Sequence, residues 1–271
     1  MKKFITFAAC FIIAIIISCS EEHVEATQSV VEKTEQAYFG RQGTRTSIDL
    51  KEGTFVVEEI DGQFIYEGDI IIEKGDDNAT GKTEAVGLTG RRWPNGIVYY
   101  TINSSLPNQS RVTNAIAHWE ANTSIRFQQR TTQRNYVEFV VGSGCSSSVG
   151  MRGGRQTINL ASGCSTGNAI HEIGHALGLF HEHTRTDRDA TINVNWTNIE
   201  PGYEHNFERA DTRASVADYS PTIDFGSIMM YGSYSFSVNG LPTLVRKNGT
   251  TWNIQRSALA ASDILGIETM Y

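Results

Sequence analysis

Two neighbouring segments near the beginning of the chain have the pattern of β-strands. Thr54–Ile60 and Phe64–Ile72 are rich in β-branched and aromatic residues, and they flank Asp61-Gly62, a dipeptide typical of tight hairpin turns. Residues 20–47 before them and 74–90 after them are polar and show no periodicity. The pattern therefore predicts one hairpin between a flexible leader and a loose linker that a protease could reach.

From residue 93 onwards the pattern alternates between strands and helices. In Ser110–Asn122 the apolar residues Val112, Ile116 and Trp119 recur at the spacing of one helix face. Residues 184–227 have no such periodicity and are rich in Asp, Arg, Asn and Thr. The other predicted elements are strands over Ile97–Ile102, Tyr136–Val141 and Gln156–Leu160 and helices over Ser165–Leu179 and Ser257–Met270.

The first residues have the form of an export signal. Lys2 and Lys3 precede Phe4–Ile17, a 14-residue apolar run that is shorter than the ~20 residues needed to span a bilayer. The run ends in Ser18-Cys19, which resembles the bacterial lipoprotein box, where the cysteine carries the lipid. The alternative is an ordinary signal peptide in which Cys19 is incidental. Either way, residues 1–19 are predicted to direct export.

Charge is divided unevenly along the chain. Residues 20–84 hold 16 acidic and 6 basic side chains, whereas residues 85–271 hold 14 acidic and 15 basic ones. The formal net charge of −7 therefore comes from about a quarter of the chain, and the basic face typical of nucleic-acid binding is not indicated. We expect two segments with different fates, an acidic one over 20–83 and a near-neutral one over 84–271.

Export also decides how the four cysteines are interpreted. Cys10 lies in the signal and Cys19 at its end, which leaves Cys145 and Cys164 for the folded part. Two cysteines in an oxidising compartment favour one disulfide bond. A thiolate metal site is the alternative, but it would need further soft ligands that the neighbouring sequence lacks.

The candidate chemistry is concentrated in one short stretch. His171 and His175 are four residues apart, so on a helix both imidazoles lie on one face and can share a metal ion. Gly178 allows the chain to turn, and His181 follows three residues later. Three nitrogen ligands leave a fourth position on Zn²⁺ open for a water, which Glu172 can activate as general base. A helix with incidental histidines is disfavoured, because each glycine inside it costs about 1 kcal/mol.

Ser227–Tyr231 supplies a second motif. Its sequence, SIMMY, has the form of the methionine-containing turn of metzincins. Paired with the histidine motif, it predicts Met229 beneath the metal and the phenol of Tyr231 within reach of it. The other histidines of this half, His183 and His205, are expected at the surface and not as ligands.

Together these motifs resemble the astacin family of zinc endopeptidases, a branch of the metzincins. The sequence of His171–Asp189 is HEIGHALGLFHEHTRTDRD, and Ser227–Ser237 continues the methionine turn as that family does. Gly144–Cys164 is similar to its disulfide-linked edge-strand segment, and Ser262–Tyr271 to its closing helix. The resemblance covers about residues 84–271, and bacterial members of the myroilysin and flavastacin type are the branch that we expect.

The resemblance implies a fold of the α+β class. It predicts a two-lobed catalytic domain over residues 84–271. One lobe would be a twisted, mostly parallel sheet with an antiparallel edge strand and two helices; the other would be irregular and end in a C-terminal helix. It also implies that residues 20–83 form a propeptide.

The resemblance also implies roles at the zinc site, with one Zn²⁺ per chain. His171, His175 and His181 would be the ligands and Glu172 the general base. Tyr231 would be a further ligand at rest and would stabilise the oxyanion when substrate is bound.

Outside the zinc site, the resemblance implies three further contacts. Glu182 would meet the mature N-terminus through water in a buried pocket, and Ser147–Arg152 would pair antiparallel with a bound peptide. Tyr66-Glu67-Gly68-Asp69 resembles the aromatic-x-Gly-Asp motif of the family's propeptides, in which Asp69 would bind zinc in place of water. A plain hairpin turn is the alternative for that motif.

Cleavage of the propeptide is expected near Glu84, with Lys82 as a candidate site for a trypsin-like activator.

The chain also departs from the family pattern. Leu179 stands where an aromatic residue is usual, and Met230 stands where histidine is frequent. The family's second disulfide has no counterpart. These departures bear on the detail of the cleft, since none of them removes a predicted ligand.

The sequence thus predicts an exported zinc metalloendopeptidase made as a zymogen. It would be secreted after activation, or be a bacterial surface lipoprotein before it. Its partners would be protein or peptide substrates, its own propeptide as inhibitor and an activating protease. We expect no binding to nucleic acid, and contact with a membrane only through the N-terminal lipid. Another metzincin branch is disfavoured by Glu182 and Arg185–Asp189. A surface adhesin with structural zinc is disfavoured by Glu172 and Asp69, which a binding module does not need.

Overall fold

The structure is a computed structural model that describes residues 36–50, 53–72, 91–210 and 218–271. The predicted export signal, Cys19 and the candidate cleavage points Lys82 and Glu84 lie outside these residues. No helix among the described residues is long and apolar enough to cross a membrane.

One large mixed sheet and three α-helices build the described part of the chain. The sheet contains β1 (Thr44–Leu50), β2 (Gly53–Ile60), β3 (Gln63–Tyr66), β4 (Ile70–Ile72), β5 (Ile97–Ile102), β6 (Arg126–Gln129), β7 (Tyr136–Val140), β8 (Cys145–Ser148) and β9 (Arg155–Leu160). The helices are α1 (Ser110–Asn122), α2 (Thr166–Leu177) and α3 (Ala261–Met270). Two short strands, β10 (Ile192–Val194) and β11 (Leu244–Arg246), pair antiparallel elsewhere.

The spatial order of the large sheet is β1-β2-β3-β4-β8-β9-β7-β5-β6. In its C-terminal part, β9, β7, β5 and β6 run parallel to one another and β8 runs antiparallel to β9. This arrangement confirms the predicted α+β fold with a mostly parallel sheet. One feature differs, because β8 is not at an edge: β4 pairs with its other side in parallel register, Ile70 opposite Ser147 and Ile71 opposite Ser148.

Strands β1 to β4 form an antiparallel meander, called here the N-terminal meander (residues 44–72). Asp61 and Gly62 both have positive φ, 52° and 79°, which confirms the predicted tight turn. The prediction of one strand over Phe64–Ile72 was wrong, since Glu67 and Gly68 also adopt positive φ, 48° and 79°, and break it into β3 and β4. The leader prediction was wrong for residues 44–47, which belong to β1.

Helix α2 is buried in the hydrophobic core that it shares with β5, β7, β9 and α1, called here the larger lobe; a second core within residues 192–252 is called the second lobe. It begins at a capping box, in which the Ser165 hydroxyl accepts from the Asn168 backbone N–H and the Asn168 side chain accepts from the Ser165 N–H. The indoles of Trp93 and Trp119 donate to the carbonyls of Ala176 and Ile170 at 2.8 and 3.0 Å. These contacts fix the orientation of the helix that carries His171 and His175, and its position along its own axis.

Cys145 and Cys164 form a disulfide bond, as predicted. It joins β8 to the loop before α2, and both cysteines are buried in the core of this lobe. The strand beside the candidate site and the helix that carries it are thereby covalently linked.

Candidate metal centre and active site

Three buried histidines converge at the end of α2. His171 and His175 lie one turn apart with ring centroids 4.7 Å from each other. The helix ends at Gly178, whose left-handed φ of 117° turns the chain so that His181 returns to within 5.3 and 4.8 Å of those two rings. The structure therefore brings together the three histidines that the spacing predicted.

Each of these histidines has one ring nitrogen bound to an acceptor. Nδ1 of His171 lies 2.8 Å from the carbonyl oxygen of Ile228, and Nδ1 of His175 lies 2.7 Å from that of Leu179. Nδ1 of His181 lies 2.9 Å from Oε2 of Glu67. In neutral imidazoles these acceptors would hold the Nδ1 proton, so that the Nε2 atoms, which face the common centre, would have lone pairs for a metal.

The fourth member of the cluster comes from the N-terminal meander. Oδ2 of Asp69 lies 3.2 Å from Nε2 of both His171 and His181, and its Oδ1 lies 3.4 Å from Nε2 of His175. The four ligand atoms all lie within 4.8 Å of one another. Three imidazole nitrogens and one carboxylate oxygen are a donor set that zinc prefers, and these residues could hold one zinc ion.

The electrostatics of the cluster also favour a cation. Burial by itself would raise the pKa of Asp69, but the imidazoles of His181 and His175 outweigh it and hold that pKa well below its ordinary value. Burial by itself would lower the pKa of His181, but Asp69 and Glu67 outweigh it and raise that pKa to about 9. The buried carboxylates of Asp69 and Glu67 are therefore stabilised by positive charge between them, which a divalent metal would supply.

Glu172 lies between the two helical histidines in sequence and is fully buried within α2. Its carboxylate is carried by the same rigid helix as two of the candidate ligands. A carboxylate in this position is the group that could accept a proton beside a metal.

The methionine turn lies beneath α2. A Cβ built on Gly174 would lie 2.7 Å from Sδ of Met229, so only glycine leaves room for this sulfur. Met229 is 2% exposed, which agrees with the packing expected of it. The glycine inside the histidine motif is thus explained by the close approach of the turn.

Asp263 of α3 anchors the methionine turn, which the sequence reasoning missed. Its carboxylate accepts hydrogen bonds from the hydroxyl of Ser227 at 2.6 Å and the backbone N–H of Ile228 at 2.9 Å. It also accepts from the N–H of Ala260 at 2.8 Å and so caps its own helix. The resemblance of the closing helix was the one signal that could have pointed to it.

Tyr231 stands beside the histidine cluster. Its phenol donates a hydrogen bond to the carbonyl oxygen of Glu67, and its ring stacks on His183 with centroids 3.9 Å apart and planes 21° apart. Nε2 of His183 bonds the carbonyl of Asn206 at 2.9 Å. The expectation that His183 and His205 lie at the surface was wrong, since both are fully buried. Their sequence neighbourhood is polar, and only the folding of the second lobe over them buries the rings.

Glu182 lines a cavity beside the methionine turn. Its Oε1 accepts from the backbone N–H of Asp224 at 2.9 Å, and Arg185 lies 3.7 Å away. Burial raises the pKa of Glu182 to about 8, although Arg185 opposes the shift. The cavity has walls from both lobes. Its other lining residues are Leu179, Phe180, Arg185, Tyr219, Ser220, Met229, Ser262, Asp263 and Gly266.

The strand expected to bind peptide is paired with the N-terminal meander. The backbone N–H of Ser147 donates to the carbonyl of Asp69 at 3.0 Å, and Arg152 donates to the carbonyl of Ile71 at 3.3 Å. Because β4 runs parallel to β8, its direction is opposite to the antiparallel one expected for a bound peptide.

The comparisons with known proteins agree with this site. Residues 86–271 match the family model described as Astacin, a peptidase family. Blastula protease 10 of Paracentrotus lividus is 41% identical over 203 residues, which cover 70% of this chain and 34% of that protein. Zinc metalloproteinase nas-15 of Caenorhabditis elegans is 39% identical over 184 residues, which cover 66% and 32%. The chain thus spans about a third of the length of these curated relatives.

A solved structure is similar as well. It is described as High choriolytic enzyme 1, a hatching enzyme zinc-protease from Oryzias latipes (medaka fish), with a TM-score of 0.60 and 32% identity over 66% of this chain and 91% of that one. These relatives are eukaryotic, so the myroilysin- and flavastacin-like branch stays a prediction. Since the family model covers more than half of the sequence and includes the whole histidine motif, this chain belongs to the astacin family of peptidases.

Proposed function

We propose that this chain is a zinc-dependent endopeptidase made as a zymogen, with residues 20–83 as propeptide and residues 84–271 as catalytic domain. One observation carries the proposal: the buried cluster of His171, His175 and His181 has Asp69, from the N-terminal meander, as its fourth member. Relatives that are named as zinc metalloproteinases support the same activity.

The residues around the cluster would divide the work of peptide hydrolysis. The three histidines would hold zinc, and the ion would supply a Lewis acid for the scissile carbonyl and for a water. Glu172 takes a proton from the attacking water and returns it to the leaving amine. Tyr231 donates a hydrogen bond to the carbonyl oxygen as that oxygen gains negative charge. Its position beside His181, with ring centroids 4.5 Å apart, supports this task.

The latent state follows from three contacts of the N-terminal meander. Asp69 places its carboxylate against the three histidines and would occupy the position that an attacking water needs once zinc is bound. The carbonyl of Glu67 accepts the hydrogen bond of the Tyr231 phenol, so that group cannot serve a substrate. Strand β4 takes the side of β8 on which a peptide would pair. A substrate and the meander therefore compete for the same groups.

Activation would be proteolytic, with an activating protease as partner. Cleavage near Glu84, with Lys82 as a candidate for a trypsin-like enzyme, would separate the meander from the catalytic domain. The new N-terminus would then enter the cavity lined by Glu182, whose carboxyl is held there by the Asp224 N–H. We further propose export by residues 1–19, a lipid on Cys19 before activation and a place in the bacterial, myroilysin-like branch, all from the sequence alone.

Hydrolysis of casein and of peptides by the processed protein tests the activity. We expect cleavage that a chelator abolishes and that zinc restores, and we expect Glu172→Gln to remove it while the variant still binds zinc. Activity that survives both the chelator and Glu172→Gln would refute a zinc peptidase.

The latent state needs a separate test on the unprocessed chain. Asp69→Ala should release activity before processing, because it opens the fourth ligand position. Asp49→Ala is the matched control, since Asp49 lies in the same meander but is exposed and accepts a hydrogen bond from Thr54 instead. Equal and negligible activity of the two unprocessed variants would refute the role of Asp69.

A further inference from the structure

Two buried apolar residues beside the histidine cluster have their packing partners in the N-terminal meander. Phe180 and Val149 are 4% and 3% exposed, yet they do not belong to the main core of the larger lobe. The other buried members of their cluster are Ile48, Phe55, Val57, Phe64, Tyr66, Ile70 and Ile72. All of these belong to the meander, so removal of the meander would expose an apolar surface formed by Phe180 and Val149.

Both residues are next in sequence to a part of the candidate site. Phe180 immediately precedes the candidate zinc ligand His181, and Val149 immediately follows β8. The surface therefore adjoins both the segment that carries a candidate zinc ligand and the strand that is expected to pair with substrate. A side chain that fills it would belong to a residue close to the scissile bond.

The structure also indicates what kind of side chain fits. Tyr66, three residues before Asp69, is 1% exposed and packs its ring edge-on against Phe180 with centroids 6.0 Å apart. Phe55 also packs edge-on against the Tyr66 ring, with centroids 5.1 Å apart. Edge-to-face aromatic pairs are favourable beyond the area that they bury. A charged side chain at this place would lose its hydration against apolar groups.

We propose that Phe180 and Val149 form a specificity subsite of the processed enzyme, which accepts an aromatic or large aliphatic side chain of the substrate within about three residues of the cut. In the latent chain this subsite is filled by Tyr66. The inference rests on the proposed peptidase activity and on removal of the meander, and it adds the class of substrate residue that the site selects.

The experiment is cleavage of a peptide library by the full chain after activation, with product ends identified by mass spectrometry. We expect one fixed position to be enriched in aromatic and large aliphatic residues. For a matched pair of peptides with Phe or Ala at that position, the ratio of kcat/KM should favour Phe about tenfold or more. Phe180→Ala should lower this ratio about tenfold, mainly through KM.

Three further variants keep the result interpretable. Phe180→Leu retains most of the volume and should shift the preference from aromatic to branched aliphatic residues. Val149→Thr keeps the shape, adds a hydroxyl and should weaken the preference for apolar residues. Phe225→Ala is the control, because its ring packs on Trp252 in the other lobe and the ratio should not change.

The possible failures are distinguishable. If the wild-type protein cuts no peptide in the presence of zinc, the proposed peptidase function fails. If it cuts peptides without any apolar preference, or if Phe180→Ala and Phe180→Leu both keep the wild-type preference, the subsite is refuted and the peptidase function stands.

Discussion

Gly68→Ala gives a sharp test of how the N-terminal meander docks, because the chain provides its own control. Gly68 and Gly62 have the same φ of 79°, so alanine is equally strained at both. A Cβ on Gly62 meets nothing within 4 Å, whereas a Cβ on Gly68 would lie 2.8 Å from Cζ of Phe236. The ring of Phe236 is packed against Tyr203 and Tyr231 and cannot simply swing aside.

The magnitude follows from these two contributions. A left-handed alanine costs about 1–2 kcal/mol, which is the whole effect expected for Gly62→Ala. Overpacking a filled site adds about 1–3 kcal/mol, so Gly68→Ala should cost about 2–5 kcal/mol. The difference of about 1–3 kcal/mol corresponds to a factor of roughly 5 to 150 in the equilibrium constant.

Denaturant unfolding of the unprocessed chain at fixed zinc concentration measures both variants. Gly68→Ala should lower the free energy of unfolding more than Gly62→Ala does, and it should also raise the activity of the unprocessed chain. If the two variants are destabilised equally, the close approach of Gly68 to Phe236 does not hold the meander in place and the reasoning is wrong.

Three other predictions concern pH, the disulfide and the metal. Burial raises the pKa of Glu58 in the meander to about 7, so its neutral form contributes stability that is complete below about pH 4.5 and is lost as the pH rises through 7. In thermal unfolding, Glu58→Gln should not show this loss of stability with rising pH, whereas the exposed control Glu59→Gln should show it as the wild type does. Replacing Cys145 and Cys164, 19 residues apart, by alanine should cost about 3 kcal/mol in denaturant unfolding, and no loss would show that the bond is not formed in solution. Removing zinc with a chelator should lower the free energy of unfolding by about 3–4 kcal/mol if zinc was present at ~100–1000 times its Kd. An unfolding temperature that calorimetry finds unchanged by the chelator would contradict the metal site.

Local patterns predicted the elements that short-range physics determines. The four-residue spacing of His171 and His175 put both rings on one helix face, because an α-helix turns once in 3.6 residues. Asp61-Gly62 became a tight turn since both residues tolerate positive φ. The predicted helices were found with boundaries shifted by a few residues, as in α3, which begins at Ala261 and not at Ser257.

The resemblance to a family predicted a long-range contact that the local patterns could not, since it placed Asp69 at the zinc site with residues about a hundred positions away. The structure brings Asp69 to His171, 102 residues apart, and pairs β4 with β8. It also ends the strand at Glu67, where the backbone must turn to present the carboxylate of Asp69. Glu67-Gly68-Asp69 interrupts the apolar residues of Phe64–Ile72 and made a turn one of two interpretations, but no strand pattern could signal that the turn would carry the carboxylate of Asp69 to the histidines.

The sequence by itself therefore determined the kind of chemistry and the helix that carries it, because these depend on residue type and on spacing along a single element. It also determined the disulfide, because only two cysteines remained outside the predicted export signal. Only the tertiary structure decided what surrounds that chemistry. It buried His183 against Tyr231, placed Asp263 under the methionine turn and made Phe180 depend on the N-terminal meander for its cover. Such contacts join elements that are far apart in sequence, so they are fixed by the packing of the whole chain and not by any local pattern.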